Sequence, residues 1–333
     1  MPHWRRTLAA VGGSAVLAIA GAEWLWKRRR LAALAAGSDL VVTDRGVVEV
    51  ARSGDGPPVL VLHGAPGGYD QGRFIGEAAF GDVDLIAFSR PGYLRTPLDE
   101  NRTPAEQADL AAALLDELGV ERAIAVGFSA GGPAAVELAV RHPDRVAGLV
   151  LASAVTGAFD AREYGVPVHP LVDPILTSTP VLDARSAVFV LLRRVDPGRL
   201  VALTHGLLST LEGEALDEYV AGVLADPAQR RRVVALVDSL VPATARLDGT
   251  LNDERWFREL PPLDFAAVEC PTLVVHGEYD ALLSIEQAAA ATARIPDAEL
   301  VRLDADHLAF VGPDADRGGE AVRSFVERVA AAH

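Results

Sequence analysis

The chain has 333 residues, half of them hydrophobic, with 30 glycines and 21 prolines; this suits one large globular domain carrying an insertion and argues against disorder. A net charge of −15, from 31 basic and 46 acidic residues, disfavours nucleic acid as a partner of the body of the protein. The single cysteine, Cys270, rules out an intramolecular disulfide framework and a cysteine-built metal site, and its place before an apolar run reads as a buried structural thiol.

The amino-terminal segment, residues 1–36, stands apart from the rest. It holds Arg5, Arg6, Lys27, Arg28, Arg29 and Arg30 against Glu23 alone. Between the basic clusters runs Thr7–Trp26, whose 20 residues match a bilayer-spanning helix. Trp24 and Trp26 fall where interfacial aromatics belong, and the heavier basic cluster follows the segment. Together these features predict membrane association through residues 7–26, with the catalytic domain cytoplasmic. One alternative is export, with Arg5-Arg6 resembling a twin-arginine signal and Ala18-Ile-Ala20 a cleavage site. Another is an alanine-rich helix packed on the protein's own surface.

From Leu40 to Arg52 the pattern predicts two short strands hinged at Asp44-Arg45-Gly46. Val59–Leu62 is a buried strand ending at His63-Gly64, and Asp84–Phe88 is the next, ending at Ser89-Arg90-Pro91-Gly92-Tyr93. Thr103, Pro104 and Glu106 then open a helix with a capping box, which Gly119 closes. The apolar strand Arg122–Val126 leads into Gly127-Phe128-Ser129-Ala130-Gly131, and a helical stretch follows through Arg141. G-x-S-x-G between a strand and a helix is a nucleophile elbow: the glycines permit a turn tight enough to expose the serine above the sheet. The new helix then aims its unpaired N–H groups at developing negative charge.

Val146–Ala152 is a further strand, and residues 155–265 then lack strong strand patterns. They contain helical stretches at Ser186–Arg194 and Ala228–Val241. A hundred-residue insertion directly after this strand is expected to be a helical cap over a site; the alternative is a separate helical domain with no catalytic role. The body thus divides into a first part, residues 37–154, and a second, 266–333. In the second part come the strand Thr272–Val275, a helix opened by Ser284 and Gln287, the strand Leu300–Leu303 and a closing helix Glu320–Ala331. Wholly apolar short strands alternating with helices imply a mostly parallel eight-stranded α/β sheet covered on both faces. Sites in such sheets gather at the carboxyl ends of the strands.

A serine hydroxyl needs an adjacent base to become a nucleophile. His307, after the last predicted strand, is the candidate base, and Asp280, at the end of the preceding one, the candidate acid that orients it. Asp306 is a rival acid, but neighbours on an extended chain point apart; Glu278 is a weaker rival. No Walker A loop, dinucleotide fingerprint or metal-binding histidine cluster occurs, so neither a cofactor nor a metal is expected.

This order of motifs resembles the α/β-hydrolase superfamily in its capped serine esterase, lipase and iminopeptidase-like branch. The resemblance spans about residues 40–332 and rests on His63–Gly68, Arg90–Tyr93, Gly127–Gly132, Gly277–Asp280 and His307. It implies an oxyanion hole made by the backbone N–H groups of Ala65 and Ala130, a structural His63 and a bracing Arg90. It also departs from the family at Asp306, where glycine is common. A small-molecule carboxylic ester, cleaved through an acyl-serine intermediate, is the expected substrate. Alternatives are an iminopeptidase-like amidase, for which Glu212 or Glu214 could hold a free amino terminus, a lactonase or perhydrolase, and a catalytically silent binding protein.

Overall fold

The computed structural model describes residues 21–158 and 178–332. Its centre is one eight-stranded sheet: β1 (Asp39–Thr43), β2 (Gly46–Ser53), β3 (Pro58–Leu62), β4 (Asp84–Phe88), β5 (Ala123–Phe128), β6 (Val146–Ala152), β7 (Thr272–Gly277) and β8 (Ala298–Leu303). The spatial order is β1-β2-β4-β3-β5-β6-β7-β8. β1 and β2 form an antiparallel hairpin, and β2 runs antiparallel to β4. From β4 to β8 every pairing is parallel.

The central strands are apolar throughout because both of their faces are covered. Leu60, Leu62, Ala125, Leu149 and Leu151 join one buried cluster, whereas Val59, Val61, Ile124, Val126 and Val150 join another. This is the period-two alternation of a strand, with hydrophobic residues on both sides. Counting the helix over 21–36 as α1, helices α2 (Tyr69–Ala79), α3 (Pro104–Glu117) and α4 (Gly132–Arg141) accompany the first strands. α3 begins as its sequence predicts: Thr103 accepts from the Glu106 backbone, and the Glu106 side chain returns to the Thr103 N–H. α2 has no counterpart among the sequence expectations, since glycines at 72 and 76 depress helix propensity. Packing explains Gly76: a Cβ there would meet the Leu85 side chain, so glycine lets this helix sit on the sheet without displacing Leu85.

Between β6 and β7 lies a helical insertion: α5 (Thr179–Val195), α6 (Pro197–Leu208), α7 (Gly213–Ala225), α8 (Pro227–Asp238) and α9 (Leu247–Arg258). Val201, Tyr219, Val220, Val223, Val233 and Leu236 give it a small core of its own, shared with Leu308 and Val311 of the loop after β8. α10 (Ile285–Thr292) and α11 (Ala315–Ala331) complete the chain. α3, α4 and α10 cover one face of the sheet, α2 and α11 the other.

The expected membrane anchor requires correction. Most of Thr7–Trp26, with Arg5-Arg6 and Ala18-Ile-Ala20, lies outside the described residues. Among those described, no helix is long and apolar enough to cross a membrane. The basic cluster expected to flank a span instead serves the protein's own packing. Lys27 Nζ pairs with Asp183 of α5 at 2.8 Å, and Arg30 donates to the Asp238 carbonyl at 2.9 Å and faces Asp70 at 3.5 Å. The anchor and the cytoplasmic placement inferred from it are therefore set aside.

Candidate active site

Three chain segments converge beyond the carboxyl ends of β5, β7 and β8. At the end of β5 the backbone reverses into α4 through Ser129, whose φ of 48° lies in the left-handed region. A non-glycine residue held there is strained, and such strain persists only where the surroundings impose it. The turn is tight enough that a Cβ on Gly131 would lie 2.0 Å from the Leu62 carbonyl oxygen. Glycine at 131 is thus what lets the elbow press against β3, and it leaves the Ser129 side chain partly exposed on the outer side of the turn.

The loop after β8 brings His307 to this serine: its Nε2 stands 3.0 Å from Ser129 Oγ. Its other nitrogen, Nδ1, donates to Asp280 Oδ2 at 2.8 Å. Because a carboxylate only accepts, Nδ1 carries the proton and Nε2 is left to accept from the serine hydroxyl. Asp280, after β7, is held from behind by the N–H groups of Leu282 and Leu283, which donate to Oδ1 at 2.8 and 2.9 Å. His276 Nε2 lies 3.3 Å from Oδ2 while donating to the Leu283 carbonyl at 2.8 Å. Burial would raise the Asp280 carboxyl, but the His307 charge and the hydrogen bonds from both histidines hold it well below the usual carboxylate range. For His307 burial pulls the other way and is outweighed by the charge and hydrogen bond of Asp280 and the charge of Asp306. The imidazole therefore sits above its ordinary value.

Ala65 follows β3 in the loop that flanks the elbow. A Cβ on Gly64 would come 3.1 Å from Ser129 Cβ, so the backbone leading to Ala65 lies directly against the serine. Ala130, buried, is the next residue after Ser129. The 64–67 loop is held by side chains: Gln71 Oε1 accepts from the Gly64 N–H at 2.7 Å, and its Nε2 donates to the Pro66 carbonyl at 3.0 Å. Arg246 of the insertion, fully buried, donates to the Gly67 carbonyl at 2.6 Å and to both oxygens of Asp70.

His63 and Arg90 brace rather than face the site. The Arg90 N–H donates to His63 Nε2 at 2.9 Å, so the proton is on Nδ1, which donates to the Gly64 carbonyl at 2.7 Å. Burial, with the charge of Arg90, keeps this imidazole well below its ordinary pKa and therefore neutral. The Arg90 guanidinium reaches the His63 carbonyl, Gln107 and the Asp253 carboxylate, which also accepts from Tyr93 at 2.6 Å.

The rival acids go elsewhere. Glu278 pairs with Arg302 at 3.3 Å on the surface. Asp306 turns its carboxylate away from His307 and takes the Nδ1 of His205, on α6, at 2.5 Å, with both side chains fully buried. Glu212 and Glu214 are exposed at the start of α7. Sequence reasoning leaves out His205, Arg246, Asp253 and His276. Of these, only His276 stands next to a motif that the pattern singled out. Among the described residues no group of three or more His, Cys, Asp or Glu could hold a metal ion.

Comparison with known proteins agrees with this architecture. The family described as alpha/beta hydrolase fold matches over residues 57–172. A solved alpha/beta hydrolase fold protein from Nakamurella multipartita is 36% identical, the match covering 89% of this chain and 100% of that one, with a TM-score of 0.77. The uncharacterized hydrolase YcgS of Bacillus subtilis is 26% identical over 293 residues, 87% of this chain and 98% of its own length. A thermophilic esterase from Thermogutta terrifontis, 23% identical with a TM-score of 0.58 over 88% of this chain and 99% of that one, shares the fold. With 36% identity across the whole Nakamurella protein, and with the same fold, the chain belongs to the α/β-hydrolase superfamily and is a hydrolase.

Proposed function

We propose that this hydrolase cleaves a small-molecule carboxylic ester through an acyl-serine intermediate. The observation that carries the reading is the unbroken relay from Ser129 Oγ to His307 Nε2 at 3.0 Å and from His307 Nδ1 to Asp280 Oδ2 at 2.8 Å. Ser129 attacks the ester carbonyl carbon as its proton passes to Nε2 of His307. Asp280 keeps the imidazole in the required tautomer and stabilises the imidazolium that forms. The oxyanion faces the N–H groups of Ala65 and Ala130, which cost no reorganisation at the moment of reaction. Collapse breaks the bond to the alcohol, which leaves with the proton from His307. A water then repeats the sequence on the acyl-serine, and the acid departs. The helical insertion serves as the cap, because the end of α6 lies against the loops that carry both Asp280 and His307.

The test is labelling with a fluorophosphonate, together with turnover of p-nitrophenyl esters of graded chain length beside aminoacyl-anilides. Labelling confined to Ser129, with esters hydrolysed and anilides untouched, is the expected result. An unlabelled protein would be a silent binding protein, and faster turnover of anilides would make it an amidase.

A further inference from the structure

The segment that carries His307 buries Ala305, Ala309 and Phe310 in the core beneath the sheet, and it is held from the other side by the insertion. Asp306 accepts from His205 of α6 at 2.5 Å, and its other oxygen accepts from the Leu308 N–H at 2.9 Å. Leu308 and Val311 are buried in the insertion's own apolar cluster. Tyr219 of α7 donates to the Val311 carbonyl at 3.0 Å, Gln229 of α8 accepts from the Gly312 N–H at 2.8 Å, and Arg232 donates to the Phe310 carbonyl at 3.1 Å. The end of α6 also ties the two loops together. The Leu208 carbonyl accepts from Ala281 at 3.0 Å and from His307 at 3.4 Å, while the Thr210 N–H donates to the Tyr279 carbonyl at 2.8 Å. One short stretch of the insertion, His205–Thr210, thus touches the acid loop and the base loop at once.

We propose that the His205–Asp306 pair is a positioning device through which the insertion sets the placement of His307 against Ser129; the inference rests on the serine-hydrolase reading above. The His205 ring makes no hydrogen bond to Ser129 or Asp280. Among the described residues its Nε2 is buried without a hydrogen-bond partner, and the ring's one polar contact there is the Asp306 carboxylate. Asp306 and His307 are adjacent and turn to different partners, His205 for the one and Asp280 with Ser129 for the other. Fixing the Asp306 side chain therefore fixes the rotation of the backbone that aims His307 the other way. A shift of about 1 Å at such a base can cost on the order of a hundredfold in rate.

The experiment compares full-length wild type, H205L, H205N and S129A for turnover of p-nitrophenyl butyrate and for the rate of fluorophosphonate labelling, with melting curves to verify folding. H205L removes the donor, whereas H205N keeps one near the position of Nδ1. The expected result is a fall in kcat of about tenfold to a hundredfold in H205L, with KM nearly unchanged, labelling slowed in parallel, and most of the rate restored in H205N. A folded H205L with wild-type kcat and labelling, or one altered only in KM, overturns the inference while leaving the serine reading intact. Labelling that persists in S129A removes the serine reading and the inference with it. If H205L does not fold, Tyr219→Phe decides on the same loop: a several-fold loss in kcat at constant KM supports the inference, and an unchanged kcat overturns it.

Discussion

The pairs Asp280–His307 and Asp306–His205 stand side by side in this molecule and are chemically alike. Each is a buried carboxylate accepting from the Nδ1 of an imidazole, at 2.8 and 2.5 Å. They differ in what the other nitrogen meets. His307 Nε2 faces the Ser129 hydroxyl at 3.0 Å, whereas His205 Nε2 is buried and has no hydrogen-bond partner among the described residues. One pair is open to a reacting atom and the other is closed, so function here is decided by surroundings and not by residue type. The comparison also separates two ways of placing a side chain. Asp280 is fixed by backbone N–H groups of its own loop, while Asp306 is fixed by a residue about a hundred positions away in the insertion.

The sharpest way to break this contrast is to remove the group that makes the first pair open. Ser129→Ala should lower ester turnover by about 10³-fold or more with the melting temperature nearly unchanged, because no neighbouring group replaces the nucleophile. Residual activity near wild type in a clean preparation would dismiss Ser129 as the nucleophile.

Exchanging carboxylate for amide in each pair tests the assignment directly. Asp280→Asn should cut kcat by about 10³- to 10⁴-fold, since an amide favours the wrong tautomer of the base. Asp306→Asn, whose amide oxygen can still accept from His205, should cost less than about tenfold in kcat and show mainly in stability, by roughly 1–3 kcal/mol in urea unfolding, as a buried hydrogen bond to a carboxylate is weakened. Reversed results would make Asp306 the acid.

His276 refines the picture of the open pair. His276→Leu should reduce kcat by about tenfold, because the acid loses one of the groups that orient it, while His276→Gln, which retains a donor, should recover most of the rate. Equal rates for the two variants would show that His276 only fills space.

The smallest effect concerns pH. The base must be neutral to accept the serine proton, so kcat/KM should fall as pH drops through the His307 pKa. That value is raised, with Asp280 as the main supporting charge and Asp306 as a further one, so the fall begins at a higher pH than for a free imidazole. Asp306→Asn withdraws one negative charge that favours the imidazolium and should move the midpoint to lower pH. A midpoint that stays in place would show that the second pair does not act on the first electrostatically.

Much of the scaffold was legible in the chain because it depends on local pattern. Apolar runs such as Val59–Leu62 and Val146–Ala152 have few alternatives to a buried parallel strand, and Thr103 with Glu106 announces a helix start from four residues. Ser129 stood out for the same reason: an elbow is a local device, written in consecutive residues. Helix α2 was hidden, since its glycines signal close approaches, of Gly72 to Ala87 and of Gly76 to Leu85, that no local pattern reveals. The basic residues of the amino-terminal helix misled because a charged collar looks the same whether it meets lipid headgroups or, as Lys27 does, a carboxylate on the protein itself.

Composition and short-range pattern thus determined the layer architecture, the elbow and the few residues able to serve as base and acid. Which acid faces which histidine was decided only by the folded chain. Asp280 and Asp306 are both carboxylates at strand ends, and their roles separate through the long-range contact of Asp306 with His205 on an insertion whose docking no local sequence encodes. Local propensities act over a few residues and are readable one at a time. The choice between two buried partners depends on desolvation and hydrogen-bond satisfaction across the whole packed structure, and therefore exists only once it has packed.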